Sequence, residues 1–261
     1  MNATESEKAP AANFRQRLLA QTPSIGVVAT LADPSVVEIL VQAGYDWLWI
    51  DAEHSPLNPT DIQQMAQAAS GCPCLVRVPG LEEGWVKKVL DTGVDGIIFP
   101  LINSGEEARR AVALCRYPPL GRRSVGIGRA QRYGPGFEEY VAQANEQVCV
   151  VVQIEHIEGV QRVIEILDTP GVDALLIGPY DLSNSMGKPG QVDHPQVQAA
   201  IESVRHACLA FDKPLGVFTT SIDYARRALK DGFTFVAVGV DVMLLANAAR
   251  QTVQQVKSGG V

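Results

Sequence analysis

One short phrase recurs along the chain and restricts its fold more than any other feature. An amphipathic stretch ends in glycine, an Asp or Thr follows within two residues, and an apolar run begins. It occurs as QAGYDWLWI at Gly44, DTGVDGIIF at Gly93, TPGVDALLI at Gly171 and DGFTFVAV at Gly232. A glycine just past a helix adopts the left-handed conformation that closes it. Short runs rich in Ile, Val and Leu suit parallel strands buried on both faces. Helix, glycine and strand in repetition spell a succession of βα units.

Eight apolar runs qualify as strands, at 25–31, 47–51, 75–78, 96–102, 148–155, 174–178, 215–219 and 233–240. Helical patterns separate them at 34–43, 60–69, 82–91, 105–116, 158–167, 195–211 and 222–230, and a last one follows at 242–256. Eight of each predict an α/β chain folded as one (β/α)8 TIM barrel over residues 23–258, with a doubly wound open sheet as the alternative. At 261 residues the chain suits a single barrel, and no shift of composition divides it. Residues 1–22 read as a disordered lead-in whose polar, acidic start lacks the core of a secretory signal or the character of a transit peptide.

Charge narrows the partners. The balance of 22 Lys and Arg against 29 Asp and Glu gives −7, which argues against a general nucleic-acid binder. No apolar run approaches the roughly 18 residues of a membrane span. Five cysteines, at 72, 74, 115, 149 and 208, favour reduced thiols and a cytoplasmic location. Cys72 and Cys74 stand too close for the usual zinc spacing and read as packing residues. Residues 116–136 break the rhythm with five arginines, at 116, 122, 123, 129 and 132, among Pro and Gly. The expectation is a long βα loop after the fourth strand, with a short extra strand at 124–127, on the face where barrels build active sites. A solvated basic loop is the plainer alternative.

The residues at strand ends carry the chemistry. The second strand runs into Asp51, Glu53 and His54, the third ends at Arg77, the fifth at Gln153 and Glu155, and the sixth at Tyr180 and Asp181. Two carboxylates on adjacent strands, completed by water and a chelating ligand, suit Mg²⁺ or Mn²⁺. Plainer roles exist: a strand-end Asp can cap the next helix, and Arg77 can simply neutralise carboxylates. The lysines, at 8, 87, 88, 188, 213, 230 and 257, all fall outside the predicted strands, which disfavours imine chemistry. Gly126-Ile127-Gly128 lacks the third glycine of a dinucleotide motif, and neither a Walker A nor a G-x-S-x-G pattern occurs.

These residues sit within WLWIDAEHSPLN, LVRVPG, VKKVLDTGVDGIIFPLI, RYPPLGRRSVG, VVQIEHIEGV, IGPYDLSNSMG and FVAVGVDVMLLANA. Through these segments the chain resembles the HpcH/HpaI aldolase family, metal-dependent 2-oxo-acid aldolases of the phosphoenolpyruvate/pyruvate barrel superfamily. The resemblance implies that Glu155 and Asp181 bind a divalent metal ion (Mg²⁺, Mn²⁺ or Co²⁺). It implies that a 2-oxo acid chelates this ion, with N–H groups near Tyr180 and Asp181 receiving its carboxylate and Gln153 lining the pocket. Arg77 would face the keto oxygen, His54 would be the base, and Asp91 the carboxylate that raises its basicity. The implied reaction cleaves a 4-hydroxy-2-oxo acid to pyruvate and an aldehyde through an enolate, and runs in reverse. Alternatives are an enolate-forming lyase or ligase handling an oxaloacetate-like acid, and a non-catalytic barrel that binds 2-oxo acids. Tyr180 stands where Ala is more usual in the family, and His156 where Ser or Thr is. His194 before Pro195 and His206 read as structural. A homohexamer is also implied, its apolar last helix, Val242-Met243-Leu244-Leu245-Ala246, packing on a neighbour.

Overall fold

The computed structural model describes residues 13–258. Eight parallel strands pair in chain order, and the last closes on the first. They are β1 (Ser24–Ala29), β2 (Trp47–Asp51), β3 (Cys74–Arg77), β4 (Gly96–Phe99), β5 (Cys149–Ile154), β6 (Ala174–Ile177), β7 (Leu215–Thr219) and β8 (Phe235–Val240). The helices are α1 (Phe14–Leu19), α2 (Pro34–Gln42), α3 (Pro59–Ala68), α4 (Glu83–Asp91), α5 (Gly105–Cys115) and α6 (Phe137–Gln147). They continue with α7 (Ile157–Gln161), α8 (Val163–Leu167), α9 (Pro179–Ser185), α10 (Pro195–Ala210), α11 (Ile222–Lys230) and α12 (Asp241–Ser258). The chain is a (β/α)8 barrel, and each of the eight predicted strands forms within two residues or so of its expected start.

The four repeated glycines do what the phrase requires. Gly44, Gly93, Gly171 and Gly232 have φ of +93°, +79°, +92° and +94°, each turning a helix back into the next strand. Two apolar layers result. One fills the space between strands and helices; the other, with Trp47, Trp49, Leu75, Ile98, Leu176 and Phe235, fills the barrel itself. Glycines make room for the large rings inside: a Cβ on Gly26 would stand 2.3 Å from the Trp47 ring, and one on Gly216 2.4 Å from Phe235.

Two expectations are corrected. Residues 1–12 lie outside the described residues, but the rest of the expected lead-in is ordered. Asn13 and Gln16 form a reciprocal capping box that starts α1. Phe14 and Leu18 then insert into the barrel's inner layer, with Phe14 and Trp47 rings 6.2 Å apart. Arg15 anchors the helix through Asp173 at 2.7 Å. Phe14→Ala is therefore expected to cost about 3–5 kcal/mol, the usual range for a buried Phe. Urea unfolding checks this, and a loss below about 1 kcal/mol would restore the lead-in reading.

Residues 116–136 follow α5, not β4, so they lie at the N-terminal end of the barrel, away from the mouth, and no strand forms at 124–127. Nor are they a solvated basic loop. Arg116 donates to the Val148 carbonyl at 2.7 Å and pairs with Asp173 at 3.1 Å. Arg123 is buried, lies over the Tyr117 and Tyr140 rings and donates to Asp91 at 2.8 Å. Arg129 donates to the Thr92 carbonyl at 2.7 Å. Of the five arginines, Arg122 and Arg132 are left exposed.

No helix among the described residues is long and apolar enough to cross a membrane. All five cysteines are free, and burial pushes the Cys72 thiol up to about 11 and raises the Cys74 thiol as well. That fits the packing role. The last helix behaves unlike the others. Within α12, Asp241 alone is buried, while Val242, Met243, Leu244, Leu245, Val253 and Val256 are exposed.

Candidate active site

The C-terminal ends of the strands open into a cavity of about 650 Å³. Arg77, the last residue of β3, is its fixed point. The guanidinium packs over the Trp49 ring at 4.9 Å. Asp51, at the end of β2, accepts from Nε at 2.9 Å and from Nη2 at 2.7 Å. This bidentate fork sets the plane of the guanidinium. The register explains the meeting, because Asp51 and Arg77 are direct partners across the β2–β3 ladder. Glu53 Oε2 also lies 3.1 Å from Arg77 Nε. The single Nε proton is already donated to Asp51, so this second contact is one of charge. Nothing among the described residues accepts from Nη1, and Arg77 lines the cavity. Burial alone would depress its pKa, but the Asp51 bond and the surrounding carboxylates raise it, so the charge is secure.

Beside Arg77 stands Glu155, buried just past β5. Its Oε1 accepts from the Leu101 N–H at 2.9 Å and its Oε2 from Gln153 Nε2 at 2.5 Å. Burial pushes its carboxyl up to about 7, the Leu101 bond and Arg77 pull it down, and the charges of Glu53 and Asp181 add to the rise. Asp181, in the first turn of α9, lines the cavity from the next unit. Gly178 makes this packing possible: a Cβ there would stand 2.9 Å from both Gln153 Nε2 and Glu155 Oε2.

Six of the seven expected site residues thus gather at the mouth: His54, Arg77, Gln153, Tyr180 and Asp181 line the cavity, and Glu155 is bonded to Gln153. His54 is exposed, with Nε2 3.7 Å from Glu53 Oε2. Asp91 is the exception. It closes α4 at the other end of the barrel, where Arg123 holds it, so it does not reach His54 of its own chain. Among the described residues, the carboxylate within ion-pair distance of His54 is Glu53. His156 and His194 serve as helix caps, accepting from the Glu158 and Gln196 N–H groups. Asp241 ties β8 to β1 by accepting from Thr30 N and Oγ1 and from Leu31 N.

The comparisons with known proteins now have a geometry to meet. Residues 24–248 match the family described as HpcH/HpaI aldolase/citrate lyase. The chain belongs to this family. A hydroxypyruvate/pyruvate aldolase of Chromohalobacter salexigens is 42% identical over 236 residues, covering 89% of this chain and 92% of that one. A 4-hydroxy-2-oxo-heptane-1,7-dioate aldolase of Salmonella dublin is 41% identical over 240 residues, covering 90% and 91%. A crystal structure of an HpcH/HpaI family protein from Burkholderia cenocepacia superposes with a TM-score of 0.89 at 37% identity, covering 93% of this chain and 98% of that one.

The donors at the mouth of this family member suit a hard divalent cation. Among the described residues no group of three or more His, Cys, Asp or Glu side chains is arranged as a complete cage. Magnesium-like ions need none, since they keep several waters and take one or two carboxylates. Two features favour an ion here: carboxylates whose charges oppose one another, and a buried Gln153 Oε1 with no hydrogen-bond partner.

Proposed function

We propose that the chain is a divalent-metal-dependent aldolase that cleaves a 4-hydroxy-2-oxo acid to pyruvate and an aldehyde, and adds them in reverse. The observation that carries this reading is the Arg77 guanidinium in the cavity lining, locked by Asp51 through Nε and Nη2 while Nη1 has no acceptor among the described residues. Glu155 and Asp181 would hold Mg²⁺, Mn²⁺ or Co²⁺, which when bound supplies Lewis-acid polarisation of the keto group. The relatives named as aldolases support the reaction class.

The chain's own residues do the rest. His54, at the open rim, takes the C4 hydroxyl proton, directly or through water. The C3–C4 bond breaks, its electron pair moves toward the C2 oxygen, and the aldehyde carbonyl forms at C4. Arg77 Nη1 donates to the C2 oxygen as negative charge grows there. Gln153 fixes the Glu155 carboxylate, and the first-turn N–H groups of α9 at Tyr180 and Asp181, which no side chain caps, face a substrate carboxylate. Return of a proton to C3 completes pyruvate.

Asp91 can serve a His54 only from a second copy of the chain. That requirement and the bare apolar face of α12 support a homo-oligomer, of which a hexamer is the form the resemblance implies. Light scattering at micromolar concentration is expected to show assemblies well above the monomer mass; monomer alone would overturn this part. For the reaction itself, pyruvate release from a panel of 4-hydroxy-2-oxo acids is expected with added Mg²⁺, Mn²⁺ or Co²⁺. No release from any member with any of these ions would refute it.

A further inference from the structure

We propose that Glu53 is the positioning residue for His54, holding its ring and stabilising the imidazolium formed when His54 takes the substrate proton. The inference rests on the aldolase reading and deepens it at the same site. Its basis is one carboxylate oxygen. Glu53 Oε2 is buried and has no hydrogen-bond partner among the described residues. It lies 3.1 Å from Arg77 Nε and 3.7 Å from His54 Nε2. Arg77 does not satisfy it, since the Nε proton goes to Asp51. A buried acceptor left unpaired is costly. Among the described residues, His54 is the other basic side chain at ion-pair distance from it.

The backbone fixes the pair. Asp51 Oδ1 accepts from the Glu53 N–H at 3.1 Å and from the His54 N–H at 3.4 Å, so the group that orients Arg77 also sets the turn carrying Glu53 and His54. The Glu53 side chain is 15% exposed and that of His54 67%, so a buried carboxylate backs a ring that stands at the rim. Burial raises the Glu53 carboxyl, and Arg77 and His54 are the charges that pull it back. In cleavage the C4 O–H bond breaks, an N–H bond forms on His54, and imidazole becomes imidazolium. In addition the same proton returns to the new alkoxide. With Nε2 turned to Glu53, Nδ1 is the nitrogen that exchanges this proton. The 3.7 Å contact closes to a hydrogen bond as the ring gains charge, since such bonds tighten in the working complex. The other charged or titratable groups lining the cavity with His54 are Asp51, Arg77, Tyr180 and Asp181. A second copy would add Asp91, which is already bonded to Arg123 of its own chain. Asp51 is spent on Arg77 and Asp181 on the proposed cation, which leaves Glu53 to meet the imidazolium.

The test reads the His54 ring directly. NMR of protein labelled at histidine Cε1, with Mg²⁺ present, follows its titration, and His54→Gln assigns the signal. Glu53→Gln is expected to lower the His54 midpoint by about one pH unit, because an opposite charge beside the ring is removed. The acidic limb of the cleavage pH profile should move down with it, and kcat should fall about tenfold with little change in KM. Glu53→Asp, which keeps the charge but draws it back by one methylene, is expected to lower the midpoint by a smaller step. An unmoved midpoint in folded Glu53→Gln protein, or in Glu53→Asp if the glutamine variant does not fold, would overturn the inference and leave Glu53 a neutraliser of Arg77. A midpoint that falls in Asp91→Asn but holds in Glu53→Gln would overturn it too, and give the role to the second copy. Deuterium exchange at C3 of pyruvate by the unmodified protein separates the two levels. Exchange with an unmoved midpoint refutes the role of Glu53 alone, whereas no exchange refutes the aldolase reading and the role of Glu53 with it.

Discussion

Arg77→Lys is expected to lower kcat by about 10²–10³, the loss typical of removing one oxyanion donor. The barrel should remain folded, and divalent-cation affinity should change little. Lysine keeps the charge but cannot reproduce the fork in which Nε and Nη2 are spent on Asp51 while Nη1 is left without a protein partner among the described residues. Its ammonium would be drawn to Asp51 and Glu53, away from the keto oxygen. Exchange of pyruvate C3 protons, which needs the enolate but no aldehyde, is expected to fall in parallel. If Arg77 only neutralised its neighbours, the loss would appear in stability instead, because Asp51 and Glu53 would be left poorly paired in a buried place. A well-folded Arg77→Lys protein with near-normal kcat and exchange would assign the oxyanion role elsewhere.

Glu155→Gln is expected to be more severe, abolishing measurable activity and weakening cation binding by two or more orders of magnitude. Glutamine keeps the shape, and its carbonyl oxygen can still accept from the Leu101 N–H, so the fold should hold. What it loses is the negative charge that a cation requires. The same carboxyl gives the wild-type protein a pH signature. Burial pushes it up to about 7, so below that pH a proton occupies it and a cation must displace the proton. Apparent cation affinity should fall by about tenfold per pH unit below about 7 and level off above it. Folding stability moves the other way through this group: the folded state binds the proton more tightly than the unfolded chain, so its contribution declines as pH rises from the ordinary carboxylate range toward 7. Calorimetric titration with Mn²⁺ across this range checks the slope, and an affinity independent of pH would remove Glu155 from the ligand set.

The barrel was legible because its signal is local. Each glycine that closes a helix sits beside the strand it introduces, and period and length do the rest. The site's strand-end residues were legible for the same reason, since the end of a strand is a position in sequence as well as in space. What escaped depended on distant partners. Three of the five arginines in 116–136 look like surface charge until Asp173, Asp91 and the Thr92 carbonyl are brought to them. The helix α1 carried its own sign in the Asn13–Gln16 box, but six residues beside a polar tail show no convincing period. Asp51 could be read as a strand-end cap, and its Oδ1 does accept from the Glu53 N–H at 3.1 Å. Its larger part, orienting Arg77, depends on the β2–β3 register. Gly178 gave no hint beyond its place before Pro179, because its reason is the volume of Glu155 and Gln153. Asp91 shows a different limit: a role implied by resemblance can require an assembly, and one chain places its carboxylate at the wrong end of the barrel.

The central claim is that Arg77, Glu155 and Asp181 together let a divalent cation and this mouth enolise pyruvate. The most direct measurement is exchange of the pyruvate methyl protons for deuterium, followed by NMR in deuterated buffer, with chelator-treated protein before and after cation is restored. Exchange is expected to be negligible in excess chelator, to return on addition of Mg²⁺, Mn²⁺ or Co²⁺, and to leave no lysine trapped when borohydride is present. Undiminished exchange in excess chelator, or a pyruvyl group reduced onto a lysine, would contradict it.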